Sequence, residues 1–283
     1  MSRRHPGVTA LEDRVVVVTG AGSGIGRAIA LHVAARGALL AVSDVDEDGL
    51  AETVDLAKNA GAREVRADRL DVADRAAVAA YAQEVVDHFG RVNVVVNNAG
   101  VALAGPFREI EYDDFEWIVG INFWGVVHGT KEFLPHLVAS GEGHVVNISS
   151  LFGLISIPGQ SAYNATKYAV RGFSEALREE MLVDRLPVGV TVVHPGGIKT
   201  AIARNCRVTA GEDKAATAAL FDKKLASMSP ERAAEIIVDG MLAGKARVLV
   251  GLDAHLIHQA AKLLGSRYQE VAARISRRLM SRR

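Results

Sequence analysis

Seven short apolar runs punctuate the chain, at positions 15–19, 39–43, 64–70, 92–97, 144–149, 188–194 and 247–250. Their interiors are almost continuously apolar, with four consecutive valines at 15–18. Such runs fit strands covered on both faces rather than strands with one wet face. Longer, alanine-rich stretches separate them and carry helical spacing over 24–36, 47–60, 75–89, 113–139, 162–184 and 230–243. This alternation predicts right-handed crossovers and an α/β fold, a doubly wound parallel sheet flanked by helices. No Pro-, Gly- or Ser-rich break divides the pattern, so one domain is expected over 1–253. Two stretches fall outside the rhythm. Residues 200–229 interrupt the alternation where long insertions often serve as lids, and 254–283 form a basic, amphipathic helical extension that the sheet does not need.

Composition narrows the function classes. The 283 residues carry 33 Lys and Arg against 33 Asp and Glu, so no net field draws the chain to nucleic acid. Cys206 is the one cysteine, which rules out an internal disulfide framework and fits a reducing compartment. It has no adjacent histidine and no nucleophile motif, so it reads as a free loop thiol. No metal site is expected. The opening M-S-R-R-H-P-G-V is basic but has no apolar core behind it, and the valine run is too short for export or spanning. A cytoplasmic protein is expected.

Thr19-Gly20-Ala21-Gly22-Ser23-Gly24-Ile25-Gly26 follows the first predicted strand and opens the first helix. Glycines there permit a tight turn and let backbone approach a pyrophosphate, while the helix N-terminus offers free N–H groups and a positive dipole end. The Gly-Lys-Ser/Thr of a triphosphatase loop is missing. Asp44 ends the second strand in V-S-D-V-D. A carboxylate there can accept hydrogen bonds from an adenosine ribose and repel a 2′-phosphate, and no Arg or Lys follows at once to reverse that preference. NAD is therefore favoured over NADP, unless Asp44 is merely a solvated turn residue. Asn97-Asn98-Ala99-Gly100 closes the fourth strand, either beside a nucleoside or as a plain turn.

The most informative pair is Tyr163 and Lys167, one helical turn apart in S-A-Y-N-A-T-K. A phenol has a pKa of about 10, and an ammonium group one turn away lowers it. The pair could then pass a proton to or from an alcohol or ketone. Y-x-x-x-K recurs by chance, and alone the pair would be a helix-surface contact. Ser150, 13 positions earlier, and the glycine turn supply the context.

Taken together, T-G-A-G-S-G-I-G, Leu70-Asp71-Val72, N-N-A-G, N-I-S-S, Y-N-A-T-K and Pro195-Gly196-Gly197-Ile198-Lys199-Thr200 make the chain resemble the short-chain dehydrogenase/reductase family over about 14–251. The resemblance implies a Rossmann-like, seven-stranded parallel sheet and a nicotinamide cofactor. It implies that Gly20, Ser23, Gly24, Ile25 and Gly26 form the pyrophosphate turn, and that Asp44 holds the adenosine ribose. Asp71 and Val72 would sit by adenine. Asn98, Ala99 and Gly100 would line the cleft, and Pro195, Gly196, Ile198 and Thr200 would border the nicotinamide. It assigns Tyr163 as general acid/base, with Lys167 lowering its pKa and binding the nicotinamide ribose. Ser150 would hydrogen-bond the reacting oxygen, and Asn122 would hold a water and the helix backbone in the proton path. Ser149 is the rival of Ser150, but strand alternation points it to the other face.

Leu151, Phe152, Leu154, Ile155 and Pro158 follow Ser150, Val101 and Leu103 follow N-N-A-G, and Ala201, Ile202, Val208, Leu220, Phe221 and Met228 come from the insertion. With no arginine at an obvious place to clamp a carboxylate or phosphate, and only Arg204 and Arg207 of the insertion as candidates, they predict an apolar secondary alcohol or ketone as the small-molecule substrate. From Lys262 onward the tail has seven Lys or Arg residues and one acid, Glu270, while Leu264, Tyr268, Val271, Ile275 and Leu279 share a helical face. Packing on its own or a partner subunit is the expected role, with peripheral contact to an anionic membrane the alternative. Gly265 and Ser266 should break that helix or set its start. The resemblance also implies a homodimer or homotetramer. The expected activity is that of an NAD-dependent secondary alcohol dehydrogenase/ketone reductase. The alternatives are an NADP-dependent carbonyl reductase and a dinucleotide sensor without turnover, which would have no need of Asn122, Ser150, Tyr163 and Lys167 together.

Overall fold

The computed structural model describes residues 7–215 and 227–280. Nine strands occur among them: β1 (Val15–Thr19), β2 (Leu39–Asp44), β3 (Val65–Arg69), β4 (Val94–Asn97), β5 (Leu103–Ala104), β6 (Gly143–Ile148), β7 (Val188–Pro195), β8 (Arg207–Val208) and β9 (Arg247–Val250). Seven of them form one all-parallel sheet in the order β3-β2-β1-β4-β6-β7-β9, while β5 and β8 pair with each other in a separate parallel ladder. The valine run shows why the strands read as solidly apolar. Val16 and Val18 point into one core layer and Val15 and Val17 into the other, so neither face of β1 meets water.

Helices α1 (Gly24–Ala34), α2 (Glu47–Asn59) and α7 (Pro230–Leu242) cover the first face through residues such as Ile29, Leu50 and Ile237. Helices α3 (Arg75–Phe89), α5 (Gly125–Ala139) and α6 (Ser161–Val183) cover the second through Val85, Phe133 and Leu177. The chain winds outward from β1 to β3 and then crosses back to β4 and onward to β9. The order therefore reverses between β1 and β4, where a crevice opens at the carboxyl ends of the strands.

Three expectations need correction. The single helix predicted over 113–139 is α4 (Tyr112–Val119), a π turn at Gly120–Trp124, and α5. One inserted residue shifts the helical phase without interrupting the apolar pattern, so periodicity does not reveal it. Several predicted ends shorten, as 92–97 does to Val94–Asn97, because apolar residues continue past the ladder. The boundary drawn at 253 falls inside the first turn of α8 (Leu252–Leu264), which follows directly on β9. A 3-10 turn at Gly265–Arg267, with Gly265 at φ +56°, separates α8 from α9 (Tyr268–Met280). Leu220 and Phe221 of the predicted lid lie outside the described residues. No helix of the described residues is long and apolar enough to cross a membrane.

Candidate active site

The turn after β1 needs its glycines. Gly20 and Gly24 stand at φ +65° and +55°, in the left-handed region that costs glycine least. A Cβ on Gly26 would lie 2.1 Å from the Gly20 carbonyl oxygen, so helix and turn meet there with no room for a side chain. Ser23 occupies the N-cap of α1 in extended conformation but makes no side-chain cap bond, and the first turn holds no acid. The opening N–H groups, including that of Ile25, are thus left to an anion. Asn98 stands at the glycine turn, at the edge of the crevice. Its side-chain amide donates to the Thr19 and Gly20 carbonyls at 2.9 and 3.0 Å, so it shapes the turn rather than offering that amide to a ligand. Thr19 Oγ1 accepts from the Asn98 and Ala99 amides, both at 3.1 Å, which locks β1 to the chain after β4.

Asp44 stands on the rim of this turn. Its two oxygens accept from Gly22 N–H at 2.7 Å and Asp46 N–H at 3.0 Å. A carboxylate has about four lone-pair positions, so two amides leave capacity for a ribose diol. Residues that sequence inspection passed over complete the rim. Arg27 donates to Gly49 O at 3.0 Å and Thr53 Oγ1 at 2.9 Å and pairs with Glu52 at 2.7 Å. Its charge is therefore already matched. Asp71 caps its own turn through Ala73 N–H, and buried Val72 packs so closely on α5 that a Cβ on Gly125 would come within 2.6 Å of it. Leu70 N–H donates to the Asp44 carbonyl, which brings Asp71 and Val72 up beside the rim.

The chemistry gathers one strand further on. Ser149 and Ser150 diverge at the end of β6: Ser149 Oγ donates to the Lys167 carbonyl at 2.8 Å, whereas Ser150 Oγ accepts from Phe152 N–H at 3.1 Å. That bond leaves the Ser150 hydroxyl proton free to donate, and the hydroxyl lies near enough to the Tyr163 phenol to favour its ionised form. Lys167, 3 % exposed, donates to Ile148 O at 3.0 Å and sits 5.7 Å from the centre of the Tyr163 ring. Its one bond leaves two N–H groups, and a Cβ on Gly100 would lie only 3.4 Å from its Nζ. The expected lowering of the Tyr163 pKa is not what the protein alone produces. Burial pushes the phenol up to about 12, against the opposing influence of Ser150. Burial likewise pulls the Lys167 ammonium down to about 8. Desolvation sets the direction of both shifts, which sequence spacing does not register.

Asn122 is fully buried in the π turn. Its side chain accepts from Val101 N–H at 2.8 Å and donates to Val101 O at 2.9 Å, with a further contact to Thr166 Oγ1 at 3.3 Å. The amide thus holds the turn against the chain after β4. Asn164, next to Tyr163, donates to Phe152 O and Ile155 O at 2.7 and 2.9 Å and braces the loop after Ser150. His194 accompanies it, fully buried, with Nδ1 2.8 Å from the Ser150 carbonyl.

The far wall comes from β7 and the extension. Pro195 ends β7, and Gly196 N–H donates to Val250 O at 2.9 Å. Asp253 accepts from Gly197 N–H at 2.8 Å, and any Cβ on Gly196 would strike that carboxylate. Buried Ile198 bridges to Met228, and Thr200 lies against the start of α1, 3.2 Å from a Cβ placed on Gly24. Tyr268 of α9 accepts from Ser156 N–H at 3.0 Å. The extension therefore supports both the Gly196–Gly197 turn and the loop after Ser150, although strand counting made it dispensable. The described part of the insertion is tied down as well. Arg207 stacks 3.7 Å above Trp117 and pairs with Asp114 at 2.8 Å, so it is committed and does not serve as a free anion clamp. Cys206 is the free thiol expected, buried in the loop before β8, and burial pushes its pKa up. Around Tyr163 the walls are apolar: Leu103, Ile118, Val101, Phe152 and Ile202.

These residues fit a dinucleotide: a side-chain-free cradle at Gly20–Gly26, open helix amides for a pyrophosphate, a carboxylate at the rim and a singly bonded lysine. No cluster of three metal-ligating side chains occurs among the described residues.

Residues 14–210 match the family model for short chain dehydrogenases. SadH of Mycobacterium tuberculosis, which carries the name of an oxidoreductase, is 59% identical over 266 residues, covering 94% of this chain and 96% of its own. A short chain dehydrogenase/reductase of Burkholderia phymatum, solved in complex with NAD, superposes with a TM-score of 0.85 at 30% identity, over 93% of this chain and 97% of that one. Levodione reductase superposes with a TM-score of 0.76 at 30% identity, over 87% and 98%.

Proposed function

Because the chain belongs to the short-chain dehydrogenase/reductase family of oxidoreductases, we propose that it transfers hydride between NAD(H) and an apolar secondary alcohol or ketone, with Tyr163 as general acid/base. The observation that carries this reading is the buried Lys167 ammonium 5.7 Å from the Tyr163 ring, with two N–H groups free, in an apolar cleft that Ser150 adjoins. A bound nicotinamide supplies the hydride acceptor or donor and, when oxidised, a positive charge.

In the reductive direction Tyr163, protonated throughout the neutral range, gives its proton to the carbonyl oxygen while Ser150 donates a hydrogen bond to the same atom. Lys167 would hold the ribose of a bound nicotinamide nucleotide with its two remaining N–H groups, and its charge offsets that of the phenolate left behind. Oxidation of an alcohol runs the same proton back to Tyr163. His194 and Asn164 hold the Ser150 loop in place. Preference for NAD is supported by Asp44 at the rim and by the engagement of Arg27 with Glu52, which leaves that cation ill placed to meet a 2′-phosphate.

The test is absorbance of NADH with a panel of apolar secondary alcohols and ketones, with NAD(H) and NADP(H) in parallel. Turnover that survives Tyr163→Phe would refute the assignment. Tighter use of NADP would refute the cofactor choice.

A further inference from the structure

Strand β9 edges the sheet, and beside it a cavity of about 420 Å³ opens between β9, α7 and α8. Lys245, Arg247, His255, His258 and Lys262 line it, and among the described residues no Asp or Glu does. His255, His258 and Lys262 share one face of α8 by helical spacing. Lys245 and Lys262 are exposed and make no ion pair with any described residue. Arg247 pairs with Glu175, a carboxylate already shared with Arg171. His258 is only 7 % exposed and makes no hydrogen bond among the described residues. Its pKa is lowered by burial, then by Lys262, Arg247, Arg171 and His255, with no acid opposing them. The cavity thus combines uncompensated cations with an unused, nearly buried donor.

The next stripe round α8 is Leu252, Leu256 and Leu263, which are 73, 61 and 89 % exposed. Lys245 and Arg247 lie at the amino end of β9, whereas Gly20, Asn98, Ser150 and Pro195 stand at or just beyond the carboxyl ends of their strands. The cavity therefore does not belong to the hydride-transfer cleft.

We propose that this cavity binds a phosphoryl group, carried either by a soluble anion or by the headgroup of an acidic lipid whose acyl part lies along the leucine stripe. A phosphoryl group offers three acceptor oxygens to two ammonium groups, a guanidinium edge and the His258 imidazole, while His255 spends its Nδ1–H on the Gly251 carbonyl.

The test uses the full chain. Inorganic phosphate is titrated while the ring signals of His255 and His258 are followed by NMR, and the protein is sedimented with vesicles of phosphatidylcholine alone or mixed with phosphatidic acid. Phosphate should shift His258 saturably. The double variant Lys245→Gln, Lys262→Gln should bind roughly tenfold or more weakly, as expected when charge-assisted bonds are lost. Both lysines are exposed, so NADH-linked turnover should be unchanged and report that the variant is folded. A lipid source predicts pelleting only with phosphatidic acid, reduced in Leu256→Gln without change in the phosphate titration. A soluble source predicts saturation by phosphate with no pelleting. Absence of both, or binding undiminished in the double variant, would overturn the proposal.

Discussion

The buried imidazole behind Ser150 links acid stability to the active site. His194 is 0 % exposed, contacts the Ser150 carbonyl through Nδ1 and has no partner for Nε2. Burial holds its pKa at about 4, against 6.5 when exposed. The unfolded chain therefore takes up this proton near its ordinary value, while the folded chain resists until about 4. The stability at stake is fully present above 6.5 and is lost as the pH falls toward 4. Its total is about 3 kcal/mol, of which about 2 kcal/mol falls between pH 7 and 5. His194→Asn keeps an N–H able to reach the Ser150 carbonyl but cannot titrate. Urea unfolding of both proteins at a series of pH values isolates the effect. Wild type should lose about 2 kcal/mol more than the variant between pH 7 and 5. Other lowered histidines, such as His32 and His258, are common to both proteins and cancel in the difference. Equal pH slopes would refute a neutral buried imidazole at this position. A second readout separates positioning from bulk stability: His194→Phe should lower kcat with little change in KM for NAD, and His194→Asn should restore it.

Other changes test the remaining parts of the site. Tyr163→Phe should cut turnover by roughly 10²–10⁴-fold while leaving NADH fluorescence titrations near wild type, and loss of both together would point to misfolding instead. Asp44→Ala should narrow the ratio of NAD to NADP affinities, measured by calorimetry, and an unchanged ratio would remove Asp44 from cofactor choice. Gly26→Ala places a Cβ 2.1 Å from the Gly20 carbonyl, so the thermal shift given by NAD to the wild type should vanish. Tyr268→Phe strips the Ser156 amide of its acceptor, and its effect should appear as a raised KM for the alcohol or ketone rather than for NAD. The reverse pattern would detach the extension from the substrate side.

What was legible in the sequence and what was not divides along the range of the interactions involved. The sheet could be read because β1, β4, β6 and β7 are buried on both faces, and double burial writes itself into consecutive residues. The glycine turn could be read because positive φ and a 2.1 Å approach leave glycine little competition at Gly20, Gly24 and Gly26. The missed supports pair residues far apart in the chain: His194 with Ser150, Asp253 with Gly197, Tyr268 with Ser156, Arg27 with Glu52 and Thr53. No local pattern encodes such a partner. The Tyr163 phenol failed differently. Its neighbour Lys167 is visible four residues away, but its solvent is not, and burial decides the direction of its pKa. The same holds for the extension. Its amphipathic spacing suggested packing without saying on what. The structure anchors its first helix at Gly197 and its second at Ser156, which flank the cleft on two sides. A segment that the sheet does not need thus braces two edges of the cleft. On the proposed function, ordering the Gly196–Gly197 turn and the loop after Ser150 through one helical pair couples cofactor to substrate, so a change at Tyr268 should alter substrate binding more when NAD is bound than when it is absent.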